Sequence, residues 1–246
     1  MNFDHAAFSP YRELIDALSL ARGKPSLDDL NALAAMHGTT QSRGLPLRFF
    51  APGGRLSARD YETHILHTGQ VPTRPDTWHD VLNALVWLRF PGFKSALNAA
   101  HGEAIEHETD ARRGRRRDAL TVLDESGVWV ISRDPHLPRL LIEHAWQTLF
   151  LDRRHDVETR MAFVVVGHAL LEKALAPYPA MTGKCLMLIS DALDTDAAEM
   201  AAVNALETID TPRQLAPLPI QGVPGWDAAN RCEGYYANRD VFRPLN

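Results

Sequence analysis

The sequence predicts an α+β fold, a predominantly helical single domain over residues 1–246 with a small β-hairpin or sheet. Apolar residues recur at helical spacing along most of the chain, whereas β-branched runs are short and few. With 45% hydrophobic and 23% charged residues in 246, the chain has enough apolar content to bury one large core. Residues 212–246 are rich in proline and aromatic residues, and we expect them to wrap this domain irregularly.

Two amphipathic helices are predicted first, over residues 9–20 and 26–36, because each follows a serine and repeats apolar residues at helical spacing. A short strand is predicted over residues 46–52, where a Pro-Gly-Gly turn follows a short apolar run. The spacing of residues 61–66 fits either a helix or a strand.

A buried helix is predicted to begin after Thr77, in the stretch TWHDVLNALVWLRF. Its apolar residues cover nearly the whole circumference, which is typical of a helix buried on most sides. Three polar side chains interrupt this surface: His79, Asp80 and Asn83. His79 and Asn83 are four residues apart and share a face. Buried polar groups must find partners, so this helix carries the best candidate site in the chain.

A β-hairpin is predicted over residues 120–132, LTVLDESGVWVIS, with Asp124 and Glu125 as turn formers. Just before it lies a dense basic run, RRGRRRD, over residues 112–118. This run is either a solvated charged turn or an anion-binding patch, for which arginine is the preferred residue. Asp118 ends the run and is expected to pair with a neighbouring group.

Residues 136–176 are predicted to form one long helix or two, followed by a strand over residues 181–189 and a helix over residues 196–208. In the almost wholly apolar part over residues 161–175, His168 and Glu172 are four apart and share a face directly after Gly167. If this helix packs against the one that carries His79 and Asn83, the two polar pairs converge.

The composition argues against several classes of protein. The 26 basic and 31 acidic residues give a formal charge of −5, which disfavours general binding to nucleic acid or to an anionic membrane. The two cysteines do not support a disulfide framework. The sequence shows no signal peptide and no apolar run near the ~20 residues that span a bilayer, so we expect a cytoplasmic protein.

Several catalytic motifs are missing from the sequence: the G-x-S-x-G elbow, the H-E-x-x-H zinc pair, the phosphate-binding loop and the dinucleotide-binding turn. The remaining imidazole and carboxylate groups suit a divalent metal (zinc, manganese or iron) that activates water. The leading hypothesis is therefore a metal-dependent hydrolase acting on a small anionic substrate, such as a phosphorylated one. The residues assigned to it are the metal ligands His79, Asp80 and His168, the catalytic groups Asn83, Asp118 and Glu172, and the anion-binding arginines Arg74, Arg116 and Arg117.

Three other interpretations stay open at this level. The arginines and the positive end of the Thr77 helix would suit a non-catalytic anion-binding module. The aromatic tail would suit a protein-interaction module. The polar pairs would also be explained as buried hydrogen-bonded groups that only hold the helices in place.

The fragments VPTRPDTWHDVLNALVWLRFP, GRRRDALTVLDESG, GHALLEK and GVPGW together resemble a bacterial family catalogued as domain of unknown function 3025. The resemblance spans residues 61–244, most of the chain. It implies no activity, because the family has none established. It does imply that the motifs of that family include the candidate residues His79, Asp80, Asn83, Arg116, Asp118, His168 and Glu172.

Overall fold

A computed structural model describes residues 1–108 and 113–245. The helices are α1 (Arg12–Ala17), α2 (Leu27–Met36), α3 (Ala58–Thr68), α4 (Trp78–Arg89), α5 (Pro91–Glu106), α6 (Arg115–Ser126), α7 (Leu137–Ile142), α8 (Arg154–Arg160), α9 (His168–Ala174), α10 (Thr195–Ala205) and α11 (Glu233–Tyr236). The strands are β1 (Arg48–Phe50), β2 (Gln70–Pro72), β3 (Gly127–Ser132), β4 (Met161–Val165), β5 (Thr182–Ile189) and β6 (Ala216–Pro219). The α+β, mainly helical fold class is confirmed.

The strands form two small sheets. β1 and β2 pair in parallel, with Phe49 opposite Val71. The larger sheet has the order β4-β3-β5-β6, in which β3 is antiparallel to β4 and parallel to β5. Every residue of β3 is buried, so this strand lies at the centre of the core. Its sequence, GVWVIS, is a near-continuous apolar run, as expected for a strand covered on both faces.

Helix α4 is the buried helix that the sequence predicts after Thr77. The Thr77 hydroxyl accepts a hydrogen bond from the Asp80 main-chain N–H at 3.4 Å and caps the helix. Every residue from Val81 to Leu88 is buried. The helix packs against α9, which carries the second predicted polar pair.

The predicted β-hairpin over residues 120–132 is wrong. Its first half belongs to α6, and only its second half is a strand, β3. Ala119, Leu120 and Leu123 are buried along one face of α6 at helical spacing, and burial of this face outweighs the preference of Thr121 and Val122 for a strand. The acidic residues expected in a turn are in the last turn of this helix.

The predicted helix over residues 161–175 is also wrong in its first part. Met161 to Val165 form β4, and only His168 to Ala174 are helical. Such a short apolar run is compatible with a helix or a strand. Here it forms a strand because it pairs with the central strand β3. The helix begins directly after Gly167, which serves as its N-cap residue.

The C-terminal segment lies against the domain with its aromatic side chains turned inward. Tyr236 and Phe242 are buried, with their ring centroids 5.0 Å apart. The Tyr236 hydroxyl donates to the Gly222 carbonyl oxygen at 2.9 Å, and the Trp146 indole donates to the Arg243 carbonyl oxygen at 2.9 Å. These contacts give the tail a role in the core.

Nearly all of the buried apolar residues form one contiguous cluster that reaches from the N-terminal segment to the tail. Within residues 1–108 and 113–245, no helix is long and apolar enough to cross a membrane.

Candidate functional site

A cavity of about 670 Å³ lies where α3, α4, α6 and α9 meet, beside the loop over residues 52–56. Its polar lining residues include Arg55, Glu62, Arg74, His79, Asp80, Asn83, Asp124 and His168. The cavity therefore brings His79, Asp80 and Asn83 of α4 together with His168 of α9.

The two histidines meet in this cavity. Nε2 of His79, on α4, lies 3.0 Å from Nε2 of His168, on α9, with the two rings nearly perpendicular. Nδ1 of His79 lies 3.0 Å from Oε2 of Glu172, and Nδ1 of His168 lies 2.8 Å from the main-chain oxygen of Asp124. The polar pairs on the two helices thus converge, as packing of α4 against α9 requires.

These contacts fix the tautomers of the neutral rings. A carboxylate and a carbonyl oxygen accept hydrogen bonds only, so Nδ1 of His79 and Nδ1 of His168 both carry hydrogen. A neutral imidazole has only one N–H, so both Nε2 atoms present lone pairs. Two lone pairs 3.0 Å apart repel each other unless a proton or a metal ion lies between them.

Burial acts on the protonation of His168. Its side chain is 8% exposed, and this burial lowers the pKa of His168 to about 4. The negative charge of Asp124 opposes this shift, and the positive charge of Lys94 adds to it. The imidazole is therefore neutral at pH 7, which is the form that binds metal ions.

A buried network lies beneath the histidines. Nζ of Lys94, in α5, contacts the Asp124 carboxylate and donates to Oδ1 of Asn83 at 2.9 Å. The Asn83 amide donates in turn to the Tyr61 hydroxyl at 2.9 Å. Burial raises the pKa of Asp124, but the charge of the Lys94 ammonium and its hydrogen bond outweigh this effect and leave the pKa below its usual range. This network holds the α6 carbonyl that orients His168.

Asp80 and Arg74 form an ion pair at the edge of the cavity. The Arg74 guanidinium donates to both carboxylate oxygens, at 2.8 and 2.9 Å, and its main-chain N–H donates at 2.8 Å. Burial raises the pKa of Asp80, but the hydrogen bonds from Arg74 outweigh this effect. The pKa is therefore below its usual value, and the carboxyl group stays ionised. Asp80, the predicted metal ligand, and Arg74, the predicted anion-binding residue, are thus bound to each other.

Like Glu172, the three remaining predicted site residues lie outside the cavity lining. Arg116 donates to the Ile209 carbonyl oxygen at 3.1 Å. Arg117 is buried in an ion pair of 2.8 Å with Glu108, and Asp118 pairs with Arg113 at 2.9 Å. These contacts hold the start of α6 against its neighbours. Arg112, at the start of the basic run, is outside the residues that the structure describes.

Sequence reasoning did not single out Lys94 or Glu62. Lys94, Leu97, Asn98 and His101 lie on one face of α5 at spacings of three and four residues, and polar groups on an otherwise apolar helix were the available signal. Glu62 had no such signal, because the sequence left its segment undecided between helix and strand.

The histidine pair is the best candidate for a metal site. In the part of the chain that the structure describes, no group of three or more His, Cys, Asp or Glu residues is arranged to hold a metal ion. Each histidine nevertheless has the outer-shell partner typical of metal-bound imidazole, a carboxylate for His79 and a carbonyl for His168. Such a site would leave most coordination positions to water or substrate.

Comparison with known proteins identifies a family only. No curated protein matches the chain. No solved structure matches it. The family model described as "Protein of unknown function (DUF3025)" matches residues 47–246, and this confirms the resemblance carried by the sequence motifs. The chain belongs to the DUF3025 family.

Proposed function

We propose that this protein is a metal-dependent hydrolase that acts on a small anionic substrate, with phosphate esters as the substrate class to test first. The observation that carries the proposal is the approach of the His79 and His168 Nε2 atoms to 3.0 Å while both Nδ1 atoms donate elsewhere. A divalent cation between the rings would remove the repulsion of the lone pairs.

The separation of the two nitrogens suits a shared metal ion. At a metal–nitrogen distance of ~2.1 Å, a separation of 3.0 Å corresponds to a nitrogen–metal–nitrogen angle of roughly 90°. This is the angle between neighbouring ligands of an octahedral ion, and a small opening of the pair would suit tetrahedral zinc. Imidazole nitrogen is a common ligand for zinc and iron, and manganese is a third candidate.

The proposed roles follow from the contacts. His79 and His168 supply two ligands, and Glu172 orients His79 from the outer shell. Asp80 is left out of the ligand set because Arg74 holds its carboxylate. A bound divalent ion would lower the pKa of a coordinated water and so supply a nucleophile at neutral pH. Asn83 accepts a hydrogen bond from Lys94 and is assigned the role of holding this ammonium under the site.

Arg55 is the best candidate for binding the anionic group of the substrate. It lines the cavity from the loop that follows Gly53 and Gly54, and among the described residues no ion pair or hydrogen bond engages its side chain. Arg74 lines the same cavity but already donates to Asp80. Arginine suits phosphate because its planar guanidinium donates two parallel hydrogen bonds.

Elemental analysis of protein purified without chelator tests the metal site. We expect near-stoichiometric metal in the parent and in His155→Ala, a control that replaces an exposed histidine on α8. We expect its loss in His79→Ala and in His168→Ala. Glu172→Gln should retain the fold but weaken metal affinity by roughly 10- to 100-fold, because the outer-shell carboxylate is lost. A parent that holds no metal, and that zinc, manganese and iron do not stabilise, would refute the proposal.

Inorganic phosphate tests the role of Arg55. With the metal-loaded parent, phosphate should raise the melting temperature, and Arg55→Ala should abolish most of this increase because it removes the cation facing the anion. Arg48→Ala is the matched control, since Arg48 is an exposed arginine outside the cavity lining. Equal phosphate-dependent stabilisation of the parent and Arg55→Ala would exclude Arg55 as the anion-binding residue.

A further inference from the structure

We infer that Glu62 is the general acid of this cavity, the group that donates a proton to the leaving group of the substrate. The inference rests on the proposed hydrolase function and adds to it a residue that neither the sequence motifs nor the histidine pair indicate. Glu62 lies on α3 and lines the same cavity as His79 and His168.

The carboxyl group of Glu62 is held in place at one oxygen only. The Asn98 amide donates to Oε2 at 2.6 Å and to the Glu62 main-chain oxygen at 3.0 Å. Among the described residues, no protein group donates to Oε1 and no cation forms an ion pair with this carboxyl. The fixed side chain therefore has one oxygen that is available to a group in the cavity.

The surroundings of Glu62 favour its protonated form. Burial and the negative charge of Asp124 raise the pKa of Glu62 to about 7, against the opposing effects of Asn98, Lys94 and Arg117. The other titratable groups nearby are Tyr61, on the same helix, and His101, on α5. A carboxylic acid with a pKa near the working pH both donates and recovers a proton readily.

Glu62 and Asp124 thus differ in charge state although they share one cavity. Asp124 contacts the Lys94 ammonium and stays ionised, whereas Glu62 has no such partner and holds a proton near neutral pH. Two carboxyl groups whose pKa values are pushed apart by their environments commonly divide acid and electrostatic roles in hydrolases. Here Glu62 is the carboxyl group with the acid role, and Asp124 stays ionised.

In this reaction the Glu62 proton moves to the leaving-group oxygen as the bond from phosphorus to that oxygen breaks, with the bonding electrons going to the oxygen. Water supplies hydroxide to the phosphorus atom, and the proton released from that water returns to Glu62. The net change is one water consumed, one alcohol released and one phosphate formed, with the enzyme restored.

The test compares Glu62→Gln with the parent, both loaded with metal, on two esters. Phenyl phosphate has a poor leaving group that needs a proton, whereas 4-nitrophenyl phosphate has a good one that needs little help. We expect Glu62→Gln to lower kcat on phenyl phosphate by roughly 10²- to 10⁴-fold and kcat on 4-nitrophenyl phosphate by less than tenfold. In the parent, kcat on phenyl phosphate should fall as pH rises through about 7, and this limb should vanish in the variant.

Carbon NMR of protein labelled at the glutamate carboxyl carbons gives a readout that does not depend on activity. The resonance missing from Glu62→Gln should titrate near pH 7 in the parent. Titration at the pH of an ordinary glutamate would overturn the inference and leave the metal site intact. Equal losses on both esters would also overturn it, because a purely structural role lowers both alike. No hydrolysis of either ester by metal-loaded parent would overturn both the hydrolase proposal and the acid role.

Discussion

Lys94→Met is expected to lower the free energy of unfolding by about 3–5 kcal/mol, because it leaves the largely buried Asp124 carboxylate without its cation. The side chain of Lys94 is 5% exposed, so water does not replace the lost ammonium. The variant also loses the hydrogen bond to Asn83. Urea unfolding at pH 7 measures the change.

Two further variants test whether the cost of Lys94→Met comes from the unpaired charge of buried Asp124. Lys94→Met/Asp124→Asn should recover much of the loss, since no uncompensated charge is then left in the interior. Arg153→Met removes the cation of a more exposed ion pair with Asp156 and should cost no more than about 1 kcal/mol. A cost for Lys94→Met as small as that for Arg153→Met would contradict the importance of the buried pair.

Gly167→Ala is expected to lower the free energy of unfolding by about 3 kcal/mol and to weaken metal binding as well. A Cβ atom at Gly167 would lie 2.6 Å from the main-chain oxygen of Glu125, and closer still to the main-chain nitrogens of Ser126 and Gly127. Main-chain atoms at the junction of α6 and β3 do not move aside as a flexible side chain does. The start of α9, and with it His168, must therefore shift.

Gly234→Ala is the matched control for this substitution. Gly234 lies in α11, and a Cβ atom there meets no atom within 4 Å. Urea unfolding should show little change for Gly234→Ala, and zinc titration should show unchanged affinity. If Gly167→Ala behaved in the same way, the close contact between α9 and the α6–β3 junction would have no energetic importance.

The sequence was most informative where one periodic pattern dominated. The buried helix after Thr77 and the i,i+4 pair of His168 and Glu172 depend on local spacing, so both were predictable. The segments over residues 120–132 and 161–175 were not, because short apolar runs suit both helices and strands. The strand in the first segment, β3, pairs with β4 and β5, and the strand in the second, β4, pairs with β3, so both depend on residues distant in sequence.

In the candidate site, too, the features that depend on tertiary packing were not predictable from the sequence. The residues of α4 and α9 were predictable as polar groups on buried helices, but the partners of each arginine were not. Arg116 and Arg117 looked available for an anion, and only the fold reveals that Ile209 and Glu108 occupy them. The neighbours that raise the pKa of Glu62 likewise come together only through tertiary packing.

The strand order β4-β3-β5-β6 has a consequence for synthesis of the protein. The central strand precedes α9 in the chain, but its parallel neighbour β5 follows α9, so the sheet under His168 is incomplete until residues 182–189 have left the ribosome. His79 and His168 are 89 residues apart, and such distant contacts form late in folding. A nascent chain that ends before β5 should therefore be unable to hold the proposed metal ion between these two histidines.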